Sequence, residues 1–160
     1  MTPNQAREEI FTIFKDAWDE NAPAVVAIEG EEPEEEPEEE PEAPPIFWQG
    51  VQISDFPDLS GPFARISIIH VDGRQSSLAG AGGIRWARSG IVLVQCLAPT
   101  KDGSPVSIAV GLAYVAQQAF EGKTSPGGIW FRNCKITEVG PEDGWFMVNA
   151  TAEFLYDEVH

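Results

Sequence analysis

The sequence predicts an α+β domain, with two helices flanking an antiparallel-rich mixed sheet and one long acidic loop interrupting the chain. Three observations predict it. Residues 2–20 and 104–121 carry apolar side chains at helical spacing, each behind a hydroxyl-then-proline start. From residue 46 onward, strand-like runs alternate with turns rich in Gly and Pro. Ten glutamates crowd between Glu29 and Glu42 with no basic residue among them. The chain has 160 residues and is 42% apolar, enough for one domain with its own core. Residues 1–160 are accordingly read as a single domain, with 29–45 as a Glu/Pro-rich insertion.

The elements follow in order. Thr2 is a suitable N-cap, Pro3 suits the first helical position, and Gln5 completes capping-box spacing. Ile10, Phe14, Ala17 and Trp18 then share one helical face, widened by Phe11. Pro23 is expected to end this helix, and residues 24–28 read as a short strand. The Glu-Glu-Glu-Pro repeat that follows has almost nothing apolar to bury. Its prolines remove amide donors and its like charges push the backbone open, so an extended, solvated loop is expected.

Residues 63–71 have strand composition. Asp72-Gly73 is a tight-turn pair, with 74–79 as the returning strand and 80–83 as a Gly-rich turn. Residues 84–97 form a long strand. Its apolar centre, 91–94, suits a central strand covered on both faces. The helix at 104–121 buries Ile108, Leu112, Val115, Ala116 and Ala119, with Gly122 at its C-terminal stop. Its Ala and Gly residues make it slim enough to lie close on a neighbour. Residues 129–139 and 145–156 are the last strands, joined by 140–144. Phe146, Val148, Ala150, Ala152, Phe154 and Tyr156 form the core face of the last one.

Charge and chemistry narrow the function. The formal net charge is −16, but outside the glutamate window 16 acidic residues face 10 basic ones. The basic residues are scattered, which argues against specific nucleic-acid binding. No apolar run reaches the ~18–20 residues of a membrane span, and the N-terminus does not read as a signal peptide, so a cytosolic site of synthesis is expected. Cys96 and Cys134 read as buried small hydrophobes, able to pair only if their strands are neighbours. His70 has no nucleophile elbow to serve, and the dispersed Cys and His residues do not make a metal site. The glutamate run lacks the ligand spacing of a calcium loop. Gly122-Lys123-Thr124 follows a helix and lacks the first glycine of a P-loop, since Gln117 stands there. Residues 80–83 lead into a strand, so no helix N-terminus would face a phosphate. Neither enzymatic activity nor a cofactor is expected. Arg85, Trp86 and Arg88 are either a solvated strand end or, by the enrichment of Arg and Trp at hot spots, an interface.

Several stretches together resemble a known family. They are Phe63-Ala64-Arg65-Ile66-Ser67, Gly73-Arg74-Gln75-Ser76-Ser77-Leu78, Arg88-Ser89-Gly90-Ile91-Val92-Leu93-Val94-Gln95, and Pro126-Gly127-Gly128-Ile129-Trp130-Phe131-Arg132-Asn133. The closing Trp145-Phe146-Met147-Val148-Asn149 and Phe154-Leu155-Tyr156-Asp157-Glu158 continue the likeness, as does the opening helix with Phe14, Ala17 and Trp18. In order and spacing the chain resembles the tail terminator-like proteins of long-tailed bacteriophages. The resemblance implies a virion protein, assembled in the host cytoplasm. It would form a ring, commonly of six copies, at the head-proximal end of the tail tube. There it ends tube polymerisation and joins the tube to the head connector or neck protein, with DNA passing through the ring. It also points to Arg85, Trp86 and Arg88 as a subunit or tail interface. The acidic run Glu31, Glu32, Glu34, Glu35, Glu36, Glu38, Glu39 and Glu40 departs from the family pattern. It would line the lumen, dock a basic neck protein, or keep free subunits soluble and apart. Competing readings are another tail or neck subunit (tube or tail-completion protein) and an acidic DNA-mimic inhibitor.

Overall fold

The computed structural model describes residues 1–27, 42–51, 59–77, 83–101 and 103–159. The glutamates from Glu31 to Glu40 and His160 therefore lie outside the described residues, as do Leu78 to Gly82 of the predicted return strand and turn. Two helices and five strands follow in the order α1 (Pro3–Ala27), β1 (Ile46–Phe47), β2 (Phe63–Gln75), β3 (Arg85–Pro99), α2 (Pro105–Phe120), β4 (Trp130–Glu142) and β5 (Trp145–Val159). The sheet order is β1-β2-β3-β5-β4. Only the two-residue β1 pairs in parallel; every other neighbour is antiparallel. The α+β class holds, and the chain is one such domain.

α1 starts as its sequence directs. The Thr2 N–H donates to Gln5 Oε1 at 2.8 Å while the Gln5 N–H donates to Thr2 Oγ1 at 3.3 Å, a reciprocal cap. Its end differs from expectation. The helix runs through Pro23 to Ala27, and residues 24–27 are helix where a strand was expected. Proline costs the amide bond to residue 19. The core offsets that cost: Ala22 is fully buried and Val25 packs against Gly111 of α2, where a Cβ would lie 2.7 Å from Val25 Cγ1. The slim second helix thus lies close on the first.

β2 also runs further than expected. Asp72-Gly73 is no turn: the strand stays paired with β3 to Gln75 across a bulge between His70 and Asp72. The Asp72 carboxylate accepts the Gly73 N–H at 2.8 Å. A Cβ at position 73 would collide with the Arg88 guanidinium, so this glycine clears space for a side chain across the ladder. The turn signal that does make a hairpin is Asp143-Gly144. Both residues have positive φ, 48° and 83°, as the two-residue turn between right-twisted strands requires. β4 and β5 are accordingly longer than predicted and their loop shorter.

β3 is central, but both helices lie on one face of the sheet. Along β3, Val92, Val94, Cys96 and Ala98 are buried beneath the helices, while Ile91 on the other face is 36% exposed and Leu93 half-buried. The expected coverage on both faces is therefore not found among the described residues. The core face of β5 is as predicted, with Val148, Ala150, Ala152, Phe154 and Tyr156 all buried. Cys96 and Cys134 are free thiols on β3 and β4, which β5 separates. Burial pushes the Cys96 thiol far up and, with the Glu121 carboxylate, the Cys134 thiol up as well.

Candidate interaction surfaces

Three surfaces stand out above this frame. The first is the end of the sheet past the β2 bulge, an arm in which β2, β3 and β5 run side by side. Residues His70 to Gln75 are all exposed, in contrast to Ala64, Ile66 and Ile68 on the same strand. Arg85, Trp86 and Arg88 lie at the start of the returning strand, toward the tip of the arm. Alternation brings Trp86 and Arg88 to the helix-side face and sends Arg85, which is exposed, to the other. Arg88 is held within the chain. Its Nε and Nη2 both donate to Glu158 Oε2 at 2.7 Å, and its guanidinium sits 5.5 Å from the Trp86 ring centre. The Glu158 side chain is 9% exposed, that of Arg88 32%.

Arg88 is thus a structural cation as well as an interface candidate. Arg88→Ala is expected to lower stability by about 2 kcal/mol, below the range for a fully buried pair because Arg88 keeps some solvent. Urea denaturation of the isolated protein measures this. Unchanged stability would return Arg88 to a purely interfacial role.

His70 stands beside this pair, edge-on to the rings of Phe154 and Tyr156 at 5.4 and 6.1 Å. Partial burial holds its pKa below the usual histidine value, and the cations of Arg7 and Arg88 push the same way. The unfolded chain therefore binds the proton better than the folded one. Stability from this group is complete above the ordinary value near ~6.5 and declines as pH falls through ~6.5 toward the lowered folded value. His70→Gln should flatten the slope of stability against pH between about 5 and 7, as thermal unfolding across that range would record. Tyr156 shifts upward, from burial first and the Glu158 carboxylate second, against the opposing Arg88 charge.

The second surface is the sheet face opposite the helices. Ile69 stands directly across from Ile91, Ser67 from Leu93, and Phe63 from Leu97. β5 continues it with Met147, Asn149, Thr151 and Leu155, all half-buried. Asn149 Oδ1 and Thr151 Oγ1 are shielded from water and find no hydrogen-bond partner among the described residues. At one corner Phe63 packs edge-on between Phe47 and Trp145, and beside it opens a cleft of about 400 Å³ that Leu59, Arg65, Leu97 and Met147 help to line. Toward the β4 edge, Arg132 pairs with Glu153 at 3.1 Å and lies over the exposed Trp130 ring.

The third is the outer side of α2. Val106, Val110 and Tyr114 recur every four residues, opposite the buried stripe, and with Ile136 of β4 they line a groove of about 810 Å³. This groove and the exposed Ile69 and Val71 were missed from the sequence. A signal existed: a helix apolar all round its circumference has two faces to cover.

Among the described residues no group of three or more His, Cys, Asp or Glu side chains could hold a metal ion, and no helix is long and apolar enough to cross a membrane. Gly122 ends α2 with φ +68°, and Lys123 and Thr124 follow it without a strand-to-helix loop.

No protein-family model and no curated protein matches the chain. Solved structures do match. One is 19% identical, with a TM-score of 0.53, over 93% of this chain and 96% of that one. At that identity the likeness extends to the fold alone.

Proposed function

We propose that the chain is a structural subunit of a phage tail, forming a ring that caps the head-proximal end of the tail tube. The ring ends tube polymerisation and makes the joint to the head connector or neck protein. Its partners are copies of itself, six by the family resemblance, the tube protein below and the neck above. It has no catalytic role, and it acts in the virion after assembly in the host cytoplasm.

One observation carries this reading. The sheet face without helices presents Ile69, Ile91, Leu93, Leu97, Met147 and Leu155, exposed or half-buried, and it holds two shielded polar atoms with no hydrogen-bond partner among the described residues. A surface of that composition suits a subunit that finishes its burial against another molecule. The exposed arm adds reach toward a neighbour. The glutamate window supports the reading from the sequence side, since free copies of like charge resist stray association until a tube end offers a template.

Electron microscopy of tail tubes grown with and without the protein tests this. Tubes of uncontrolled length in its absence, and a ring at one end in its presence, are expected. Long tubes built by this chain alone would make it the tube protein instead. Binding to no tail component would move the acidic inhibitor reading ahead.

A further inference from the structure

Both long outer strands of the sheet carry bulges. Those of β4 fall between Arg132 and Lys135 and between Glu138 and Gly140, and the one in β2 falls just after His70. A bulge breaks the ladder and bends the strand at that point. Before its bulge, β2 is buried at Ala64, Ile66 and Ile68. Past it, Asp72 to Gln75 are exposed and, among the described residues, paired with β3 alone, since β1 reaches no further than Arg65. The Ser76 N–H closes this end on the Arg85 carbonyl at 2.8 Å. A strand end of this kind opens locally at a cost below that of global unfolding. The last side chain before the bulge fastens it: the His70 ring lies edge-on against Phe154 and Tyr156 of β5.

Positive charge converges on that ring, from Arg7 of α1 and Arg88 of β3. Arg88 is offset by Glu158 of β5, whose Oε2 accepts from both Nε and Nη2. Arg7 donates to the neutral Gln49 Oε1 at 2.7 Å and has no carboxylate partner among the described residues. The same Gln49 oxygen accepts the Ile68 N–H at 2.9 Å, which holds Arg7 beside β2. From β5 the ring otherwise meets Phe154 and the un-ionised Tyr156, and Gly90, its partner on β3, has no side chain. Past the bulge the Asp72 carboxylate is turned to the Gly73 N–H. No carboxylate among the described residues pairs with His70. We infer that His70 is a proton-operated pin for the outer end of β2. Neutral, it packs on Phe154 and Tyr156 and fastens that end. Protonated, it adds a third cation beside Arg7 and Arg88, leaves the rings for water, and lets the strand past the bulge part from β3. The pin holds above about pH 6.5 and lets go progressively below it. It does not depend on the ring reading above.

Amide hydrogen exchange, followed by NMR on the whole protein at about pH 7.5 and about pH 5.5, tests the pin. With intrinsic rates corrected for, the Ser76 amide should be protected far less than the amides of the β3–β5 seam around Val92 and Ala152, because it is released by local opening. Its protection should fall about threefold at the lower pH. In His70→Gln, a change at an exposed position, Ser76 should keep the same protection at both pH values. Protection at Ser76 equal to that of the seam would overturn the inference, since the end would then open only with the whole sheet. So would a Ser76 amide indifferent to pH in the wild type, which would mean that the strand frays without His70 leaving its rings. A fall in protection that survives in His70→Gln would place the proton on another group and overturn it too.

Discussion

Trp18→Ala is expected to cost about 4 kcal/mol of stability, the middle of the range for deleting a buried aromatic. Trp18 is fully buried at the centre of α1, in ring contact with Phe14 at 5.3 Å. Phe14 in turn stacks on Phe120 of α2 and meets Trp48 edge-on. The Trp18 Nε1–H donates to the Pro44 carbonyl at 2.8 Å, which ties the helix to the segment entering β1. Truncation opens a cavity in the helix–helix seam and leaves that carbonyl without its donor. For a domain of this length the melting temperature should fall by roughly 10 °C. Trp18→Phe separates the two contributions: it retains most of the packing and should cost only the hydrogen bond and the volume lost, about 1–2 kcal/mol. Calorimetry on both variants decides the matter. Equal losses would place the energy in the hydrogen bond rather than in the ring.

Gly90→Val should be nearly as damaging, by about 3 kcal/mol, although valine is a far better strand residue than glycine. A Cβ on Gly90 would overlap the Ile69 carbonyl oxygen of β2 and the Phe154 ring of β5. The ring could rotate, but the carbonyl is backbone in the adjacent ladder, so β2 and β3 would have to part. His70 pairs across from Gly90 and leans on the same Phe154 ring, so the disturbance reaches the base of the arm. Denaturant midpoints would show it. A gain in stability, as strand propensity alone predicts, would mean the strands have more room there than their register implies.

Local patterns made most of the fold legible. The capping pair Thr2 and Gln5, the buried stripe of α2 and the core face of β5 all depend on neighbours a few residues away, and each appears where the sequence put it. The departures have long-range causes. Pro23 stays inside α1 because Ala22 and Val25 are paid in tertiary contacts with the core and α2. The two Asp-Gly pairs are alike in sequence, yet only Asp143-Gly144 turns the chain; Gly73 is needed bare because Arg88, fifteen residues away, crosses it. The apolar centre of β3 suggested cover on both sides, since hydrophobicity alone does not say whether a second layer comes from the same chain. The candidate interface residues were legible only in part. Arg85, Trp86 and Arg88 drew notice by residue type, whereas Arg88 has a partner at Glu158 that no local pattern discloses. Ile69, Val71 and Tyr114 are exposed by tertiary placement, which no local pattern discloses.

Strand order also bears on how the chain reaches this state. β2 and β3 form one hairpin, β4 and β5 another, and each joins residues close in sequence. The sheet is completed by a seam between β3 and β5, where Val92 pairs with Ala152 about 60 residues further on. That seam joins residues further apart in sequence than either hairpin does, so closing it carries a loop-closure cost that the hairpins escape. Until it closes, each hairpin has an exposed strand edge able to join the wrong copy. The broken ladder of β4 guards one of those edges from the start.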